Sequence, residues 1–316
     1  MEELIHSRYE LIEAIGVGGM GAVFLARDQH LNREVALKVA RVAPPTPDRL
    51  AEATLFLKRE ARALAQLNHP SIPIIYDYCA DTHDPAYLAL ELIQGANLAQ
   101  LLKPKTPLPV LTSLALLQKI ASALAHAHGA SLIHGDIKPE NIMVENTGRI
   151  VLMDFGCTQA TQSKVLGNTA SIAGDLGVFG SIDFLSPELV AGKPFAKGSD
   201  VFSFGSLAYL LSIGRLPFES TKPADTMRRI LDCDFIPPET AGDGLPPGLT
   251  GLITACLKPS VSERPTAKQI SETLDEAFRT HWRTTPDFEL GVWASSLPDV
   301  GRQAKTCNSA KVEKTG

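Results

Sequence analysis

The sequence predicts an α+β chain of two units, a small β-rich unit with one long helix and a larger, mainly helical one. Three observations predict it. Over residues 9–40 apolar and polar side chains alternate, the period of half-buried strands. Over 50–67, Leu57, Ala61, Leu64 and Leu67 recur at three- and four-residue steps, the period of an amphipathic helix. After Gly95 strand text gives way to long apolar helical runs at 111–128 and 199–213.

The elements follow in order. Glycines and a turn near Asp28-Gln29-His30 divide 9–40 into three antiparallel strands. Pro44, Pro45 and Pro47 interrupt and read as a loop before the 50–67 helix. Residues 76–93 return to strand text, split by a turn around 81–85. In the second unit, 199–213 is apolar on nearly all sides and so is expected to be buried. Further helices are expected at 224–231, 248–257 and 266–280, with Pro-rich loops at 104–109 and 237–247. From about His281 the text turns polar and irregular.

Composition excludes more than it assigns. With 316 residues, 44% hydrophobic and 21% charged, the chain is an ordinary globular mixture, and collagen-like, disordered and coiled-coil classes drop out. A net charge of −5 argues against a nucleic-acid binder. Five cysteines (Cys79, Cys157, Cys233, Cys256, Cys307), odd in number and without a C-x-x-C pair, argue against a disulfide framework or zinc site. The apolar run 201–213 is shorter than the ~20 residues of a membrane span, and the N-terminus lacks the order of a secretory signal. A cytoplasmic chain with no membrane span is expected.

The chemistry sits in three motifs. Gly16-Val17-Gly18-Gly19-Met20-Gly21 is a G-x-G-x-x-G between two predicted strands, where glycines let backbone N–H groups approach a phosphate. Alone it also suits a glycine-rich hairpin or a dinucleotide-binding turn, although the latter opens a helix and the text after Gly21 reads as strand. Next, Lys38 closes the strand text Val35-Ala36-Leu37-Lys38, where an ammonium needs a counter-charge; Glu60 on the following helix can supply one and nucleotide phosphates the rest. The third is His134-Gly135-Asp136-Ile137-Lys138-Pro139-Glu140-Asn141, followed by Asp154-Phe155-Gly156. Asp136 can orient a hydroxyl proton, Asn141 and Asp154 offer hard oxygens to Mg²⁺, and Lys138 can neutralise transferring phosphate charge.

The ordered set resembles the eukaryotic-type Ser/Thr protein kinases found in bacteria, over roughly 9–279. Ser186-Pro187-Glu188, Asp200 and Arg264 in Glu-Arg-Pro-Thr also fit that family. The resemblance implies a two-lobed protein kinase fold, N-lobe 9–93 and C-lobe 94–279, between a lead of 1–8 and a partly disordered tail of 280–316. It implies ATP, with Mg²⁺ or Mn²⁺, in the cleft. Ile15, Gly16, Val17, Gly18, Gly19, Gly21, Val23, Ala36 and Lys38 would line it with the gatekeeper Leu90 and the hinge from Glu91 to Ile93. Lys38 would bind the α/β-phosphates and Glu60 would hold it, Asp136 would be the catalytic base with Lys138 beside it, and Asn141 and Asp154 would be the metal ligands. Leu64, His134 and Phe155 would stack as a hydrophobic spine, and Arg264 would pair with Glu188. Lys138 favours protein Ser/Thr hydroxyls as acceptors.

One position departs from the pattern. Gly135 stands where most of the family has the Arg that clamps a phosphorylated activation loop, so loop phosphorylation is expected to be a weak switch unless Arg149 or Lys164 takes over. Small-molecule phosphotransferases share the His-x-Asp-x-x-x-x-Asn loop. Lys138, the complete Gly-rich loop and the Ser-Pro-Glu, Asp200 and Arg264 set argue for a protein kinase instead. A pseudokinase finds support only in Gly135 and Ser186. The Gly-rich segment 157–185 offers Thr169 and Ser171 for autophosphorylation, whereas Ser181 is expected to bridge Asp136 and Lys138. His126 and His128 read as packing or surface groups, and Cys157 as a small side chain. Trp282 and Trp293 suggest that 282–298 docks on the helical lobe, on a partner or in a dimer. Arg302, Lys305, Lys311 and Lys314 mark 302–316 as disordered.

Overall fold

A computed structural model describes residues 4–18, 21–41, 46–80, 85–155, 182–242 and 244–297. Strands β1 (Leu4–Ile5), β2 (Tyr9–Gly18), β3 (Gly21–Asp28), β4 (Arg33–Val39), β5 (Ile75–Cys79) and β6 (Tyr87–Leu90) form one antiparallel sheet in the order β1-β2-β3-β4-β6-β5. Strict alternation gives this sheet two apolar faces. Val35, Leu37, Val39, Tyr87 and Ala89 pack outward under Tyr9 and Ile5, while Ala36, Leu88 and Leu90 face the main core. Leu4 and Ile5, within the lead expected at 1–8, are therefore part of the sheet. Ile5 is buried, and Arg8 reaches Asp28 at 2.8 Å and Asp77 at 2.7 Å.

Helix α1 (Pro47–Leu64) covers the inner face. It starts earlier than the sequence reading because Pro47, read there as loop, occupies the first helical turn, where its missing N–H costs nothing, behind the Thr46 cap. A second sheet, β7 (Gly95–Asn97), β8 (Ile142–Glu145) and β9 (Ile150–Leu152), pairs in that order. Between its strands come α2 (Leu98–Leu101) and the long α3 (Val110–Gly129).

The rest of the described chain is helical: α4 (Pro187–Val190), α5 (Lys197–Ile213), α6 (Pro223–Asp232), α7 (Pro238–Ala241), α8 (Pro247–Cys256), α9 (Ala267–Ala277) and α10 (Pro286–Ser296). As expected, α5 is buried along nearly its whole length. Helix α3, longer than the apolar run 201–213, is long and apolar enough to cross a membrane by composition. It packs against α5, α9 and α10 with most of its length buried, and so serves as a core helix.

The irregular text after His281 contains a helix. Thr285 caps α10 by accepting from Phe288 N at 3.2 Å, and Pro286 takes its first turn. Leu290 and Ala294 are buried on its inner side, and Lys119 on α3 meets Asp287 at 2.8 Å. Of the docking expected of 282–298, the part carried by Pro286–Ser296 is thus made within the chain, on the helical lobe. Residues 302–316 lie outside the described region.

Candidate active site

Strand register places the first group. Val23 pairs with Lys38 and Ala36 with Leu90, so these four side chains share the inner face of the sheet. The β2–β3 hairpin carries Ile15 and Val17, 39% and 83% exposed, alongside Gly16, Gly18 and Gly21; Gly19 lies outside the described residues. Lys38 Nζ donates to Glu60 Oε2 at 2.8 Å and to Asp154 Oδ1 at 2.6 Å. Burial pulls the ammonium down, but the two carboxylates outweigh it and hold its pKa above the usual lysine range. Lys38 in turn holds the Asp154 carboxyl below its ordinary value. Glu60 is 1% exposed, whereas Asp154 is 43% exposed. Phe56 of α1 lies 5.4 Å from the ammonium and closes the pair from the helix side.

The second group lies on the loop before β8. Lys138 Nζ meets Asp136 Oδ2 at 2.6 Å, and Asn141 Nδ2 donates to the same oxygen at 2.8 Å and to the Asp136 carbonyl at 2.9 Å. The Asn141 amide hydrogens are thereby engaged, and its oxygen is left as the group for a cation. Together with the Asp154 carboxylate this is a hard, all-oxygen donor pair, which fits a small divalent ion completed by phosphate oxygens and water.

The loop is held from beneath. Asp200 at the start of α5 is 1% exposed and accepts from His134 N, Gly135 N and His128 Nε2, each at 2.8 Å. His134 Nε2 bonds the Met153 carbonyl at 2.7 Å and its Nδ1 accepts from Asp136 N at 3.2 Å, which places the ring proton on Nε2. The His134 ring meets Phe155 edge-on at 4.7 Å, and Leu64 joins the same buried cluster. Gly135 adopts φ +82°, a left-handed backbone that glycine takes without strain.

A third group lies further along the helical part. Arg264 Nη1 and Nη2 donate to Glu188 Oε1 and Oε2 at 2.8 and 2.9 Å, and Ser199 Oγ donates to Oε1 at 2.6 Å. Burial opposes ionisation of Glu188, but these donors overcome it and hold its pKa at about 2. Arg149, weighed as a substitute clamp for a phosphorylated loop, is engaged elsewhere. It grips Glu91 at 2.5 and 3.0 Å and the Pro70 carbonyl at 2.7 Å.

Sequence reasoning missed the grip of Arg149 on Glu91 and the bond between His128 and Asp200. Each joins residues far apart in the chain, and only the polar character of His128 on an apolar helix hinted at a buried partner. Gly156, Cys157, Lys164, Thr169, Ser171 and Ser181 lie outside the described residues.

Comparison with known proteins shows the family. The protein kinase domain model matches residues 9–274. The serine/threonine-protein kinase PrkC of Bacillus subtilis is 31% identical over 275 residues, 87% of this chain and 41% of the relative. Serine/threonine-protein kinase pkn2 of Myxococcus xanthus is 32% identical over 319 residues, 99% of this chain and 37% of the relative. Serine/threonine-protein kinase PknB of Mycobacterium tuberculosis is 33% identical over 266 residues, 82% and 41% respectively. The chain spans about two fifths of the length of these curated relatives.

Proposed function

The chain belongs to the protein kinase family, of the eukaryotic-type Ser/Thr kind found in bacteria, and from that premise we propose that it transfers the ATP γ-phosphoryl group to protein Ser and Thr hydroxyls. One observation carries the reading: Lys38 of the small lobe meets Asp154 of the large one at 2.6 Å while Glu60 holds it at 2.8 Å. The three charges assemble only when both lobes are in place.

In this reading the adenine lies between Ile15, Val23, Ala36 and Leu90 and is bonded by the hinge backbone from Glu91 to Ile93. Lys38 and the glycine backbone at Gly16, Gly18, Gly19 and Gly21 bind the phosphates. Asn141 and Asp154 hold Mg²⁺, or Mn²⁺, which neutralises phosphate charge when bound. Asp136 orients the acceptor hydroxyl and receives its proton on a carboxylate oxygen. Lys138 sets that carboxylate and offers its ammonium to the transferred group. Catalysis then rests on positioning and charge neutralisation more than on proton abstraction. We place this unit, 9–279 with β1 and α10 attached, in the cytoplasm, where ATP and reduced thiols occur together.

The test is phosphate transfer from radiolabelled ATP with Mg²⁺ to generic protein acceptors and to the chain itself. The wild type is expected to transfer, and Asp136→Asn to lose about 10²–10⁴-fold while still binding nucleotide. MgATP binding without transfer to any protein would refute the reading. Preferential transfer to a small-molecule hydroxyl rather than to protein would refute it too.

A further inference from the structure

The β8–β9 turn, residues 146–149, touches three other parts of the molecule. Arg149 holds Glu91 on the hinge through both guanidinium ends, at 2.5 and 3.0 Å, and Asn146 N donates to the Gln94 carbonyl at 3.4 Å. Through Nε, Arg149 also bonds the Pro70 carbonyl at 2.7 Å, just before β5. On its other side the turn abuts α10. A Cβ on Gly148, whose φ is +88°, would lie 2.7 Å from both Gly291 N and the Leu290 carbonyl carbon. Backbone therefore packs directly on backbone there. Helix α10 is itself anchored by buried Leu290 and Ala294 and by Lys119–Asp287 at 2.8 Å. It lies beyond residue 274, where the family match ends.

We propose that α10 is a positioning element of the hinge, acting through Gly291, Gly148 and Arg149 to fix the Glu91 end of the segment that receives adenine. This rests on the reading of 91–93 as the adenine-binding hinge. The physical basis is a short rigid path. The α10 backbone sets the position of the turn, the turn sets the root of Arg149, and a bidentate guanidinium–carboxylate pair transmits that position with little slack. Arg149 and the glycines touch no reacting atom, so the expected signature is a change in nucleotide affinity without a matching change in the chemical step.

Gly291 offers a clean lever. A Cβ there meets only the Thr147 carbonyl, at 3.9 Å, an ordinary contact. Gly291→Ala thus fits, whereas Gly291→Leu extends a bulky side chain beside the turn at the Thr147 carbonyl, and neither strains a helical backbone. The experiment uses the full chain. Amide hydrogen exchange of 88–97 is read without nucleotide, with 248–257 in α8 as the distant reference, and KM for ATP and kcat are measured alongside.

Gly291→Leu and Arg149→Met are each expected to speed exchange at 88–97 but not at 248–257. Each should raise KM for ATP about fivefold with kcat within about twofold. Gly291→Ala should match the wild type, and the double variant should be no worse than the worse single. Unchanged exchange at 88–97 in Gly291→Leu would overturn the proposal, as would equal loosening at 248–257. If Gly291→Leu does not fold, Asp287→Lys, which sets like charges against Lys119, carries the same readout. A wild type that binds no ATP would refute the activity reading, and the exchange result would still decide the mechanical link.

Discussion

Lys38 and Arg264 each meet a buried glutamate at 2.8 Å, yet their surroundings differ. Arg264 is fully enclosed and all its donors are engaged: two reach Glu188 and the others the carbonyls of Gly198, Lys258 and Pro259. It also lies 4.9 Å from the Phe202 ring centre. One cation faces one anion, and every polar atom of the guanidinium has a partner. Lys38 faces two carboxylates, and one of them, Asp154, is 43% exposed. The first arrangement is complete; the second has one more carboxylate than cation, on an exposed side chain, and can take in a cation or exchange partners. Similar chemistry thus yields a fixed joint in one place and, in the proposed reading, a binding site in the other.

The sharpest way to break this contrast is Lys38→Met. Phosphate transfer should fall about 10³-fold, equivalent to about 4 kcal/mol of transition-state stabilisation. Stability should suffer less than in Arg264→Met, because burial already pushes the Glu60 carboxyl up, so it can accept a proton once the ammonium is gone. Parallel transfer assays and thermal unfolding check this, and the contrast fails if Lys38→Met proves the less stable of the two. Arg264→Met should cost about 3–5 kcal/mol in denaturant unfolding, since Glu188 is left buried without its partner.

Acid tests the same joint. The Glu188 pKa falls from 4.5 to about 2 on folding, so its contribution is fully present above the unfolded value and is lost as pH drops through the folded one. That shift corresponds to about 3 kcal/mol. The stability gap between wild type and Glu188→Gln should shrink by that order between about pH 5 and pH 2, measured by urea unfolding at stepped pH. The smallest effect belongs to Gly135→Ala. A Cβ at φ +82° should cost about 1 kcal/mol, visible as a modest fall in melting temperature.

Much of both groups was legible in the sequence because their members sit in short, dense motifs. His134 to Asn141 is one unbroken stretch, and Asp154-Phe155 follows at a spacing set by a single hairpin. The sheet was legible too, since Val35, Leu37 and Val39 alternate with Ala36 and Lys38. What stayed hidden depends on long-range packing. Nothing near Arg149 in the text points to Glu91, and Asp200 gives no hint that it gathers His128, His134 and Gly135. Helix α10 is a partial exception. Thr285-Pro286-Asp287 is a good helix start, but its apolar residues Phe288, Leu290, Val292, Trp293 and Ala294 do not gather on one face and so show no helical period. Strand β1 was hidden because two residues carry no period.

Helix α3 has a consequence for how the chain is made. It is apolar enough to pass for a bilayer-spanning segment, and its covers α5, α9 and α10 all lie C-terminal to it. A ribosome therefore releases α3 well before anything can shield it. During synthesis the nascent protein carries an adhesive segment open to chaperones and to self-association, and only completion of the C-terminal helices ends that exposure.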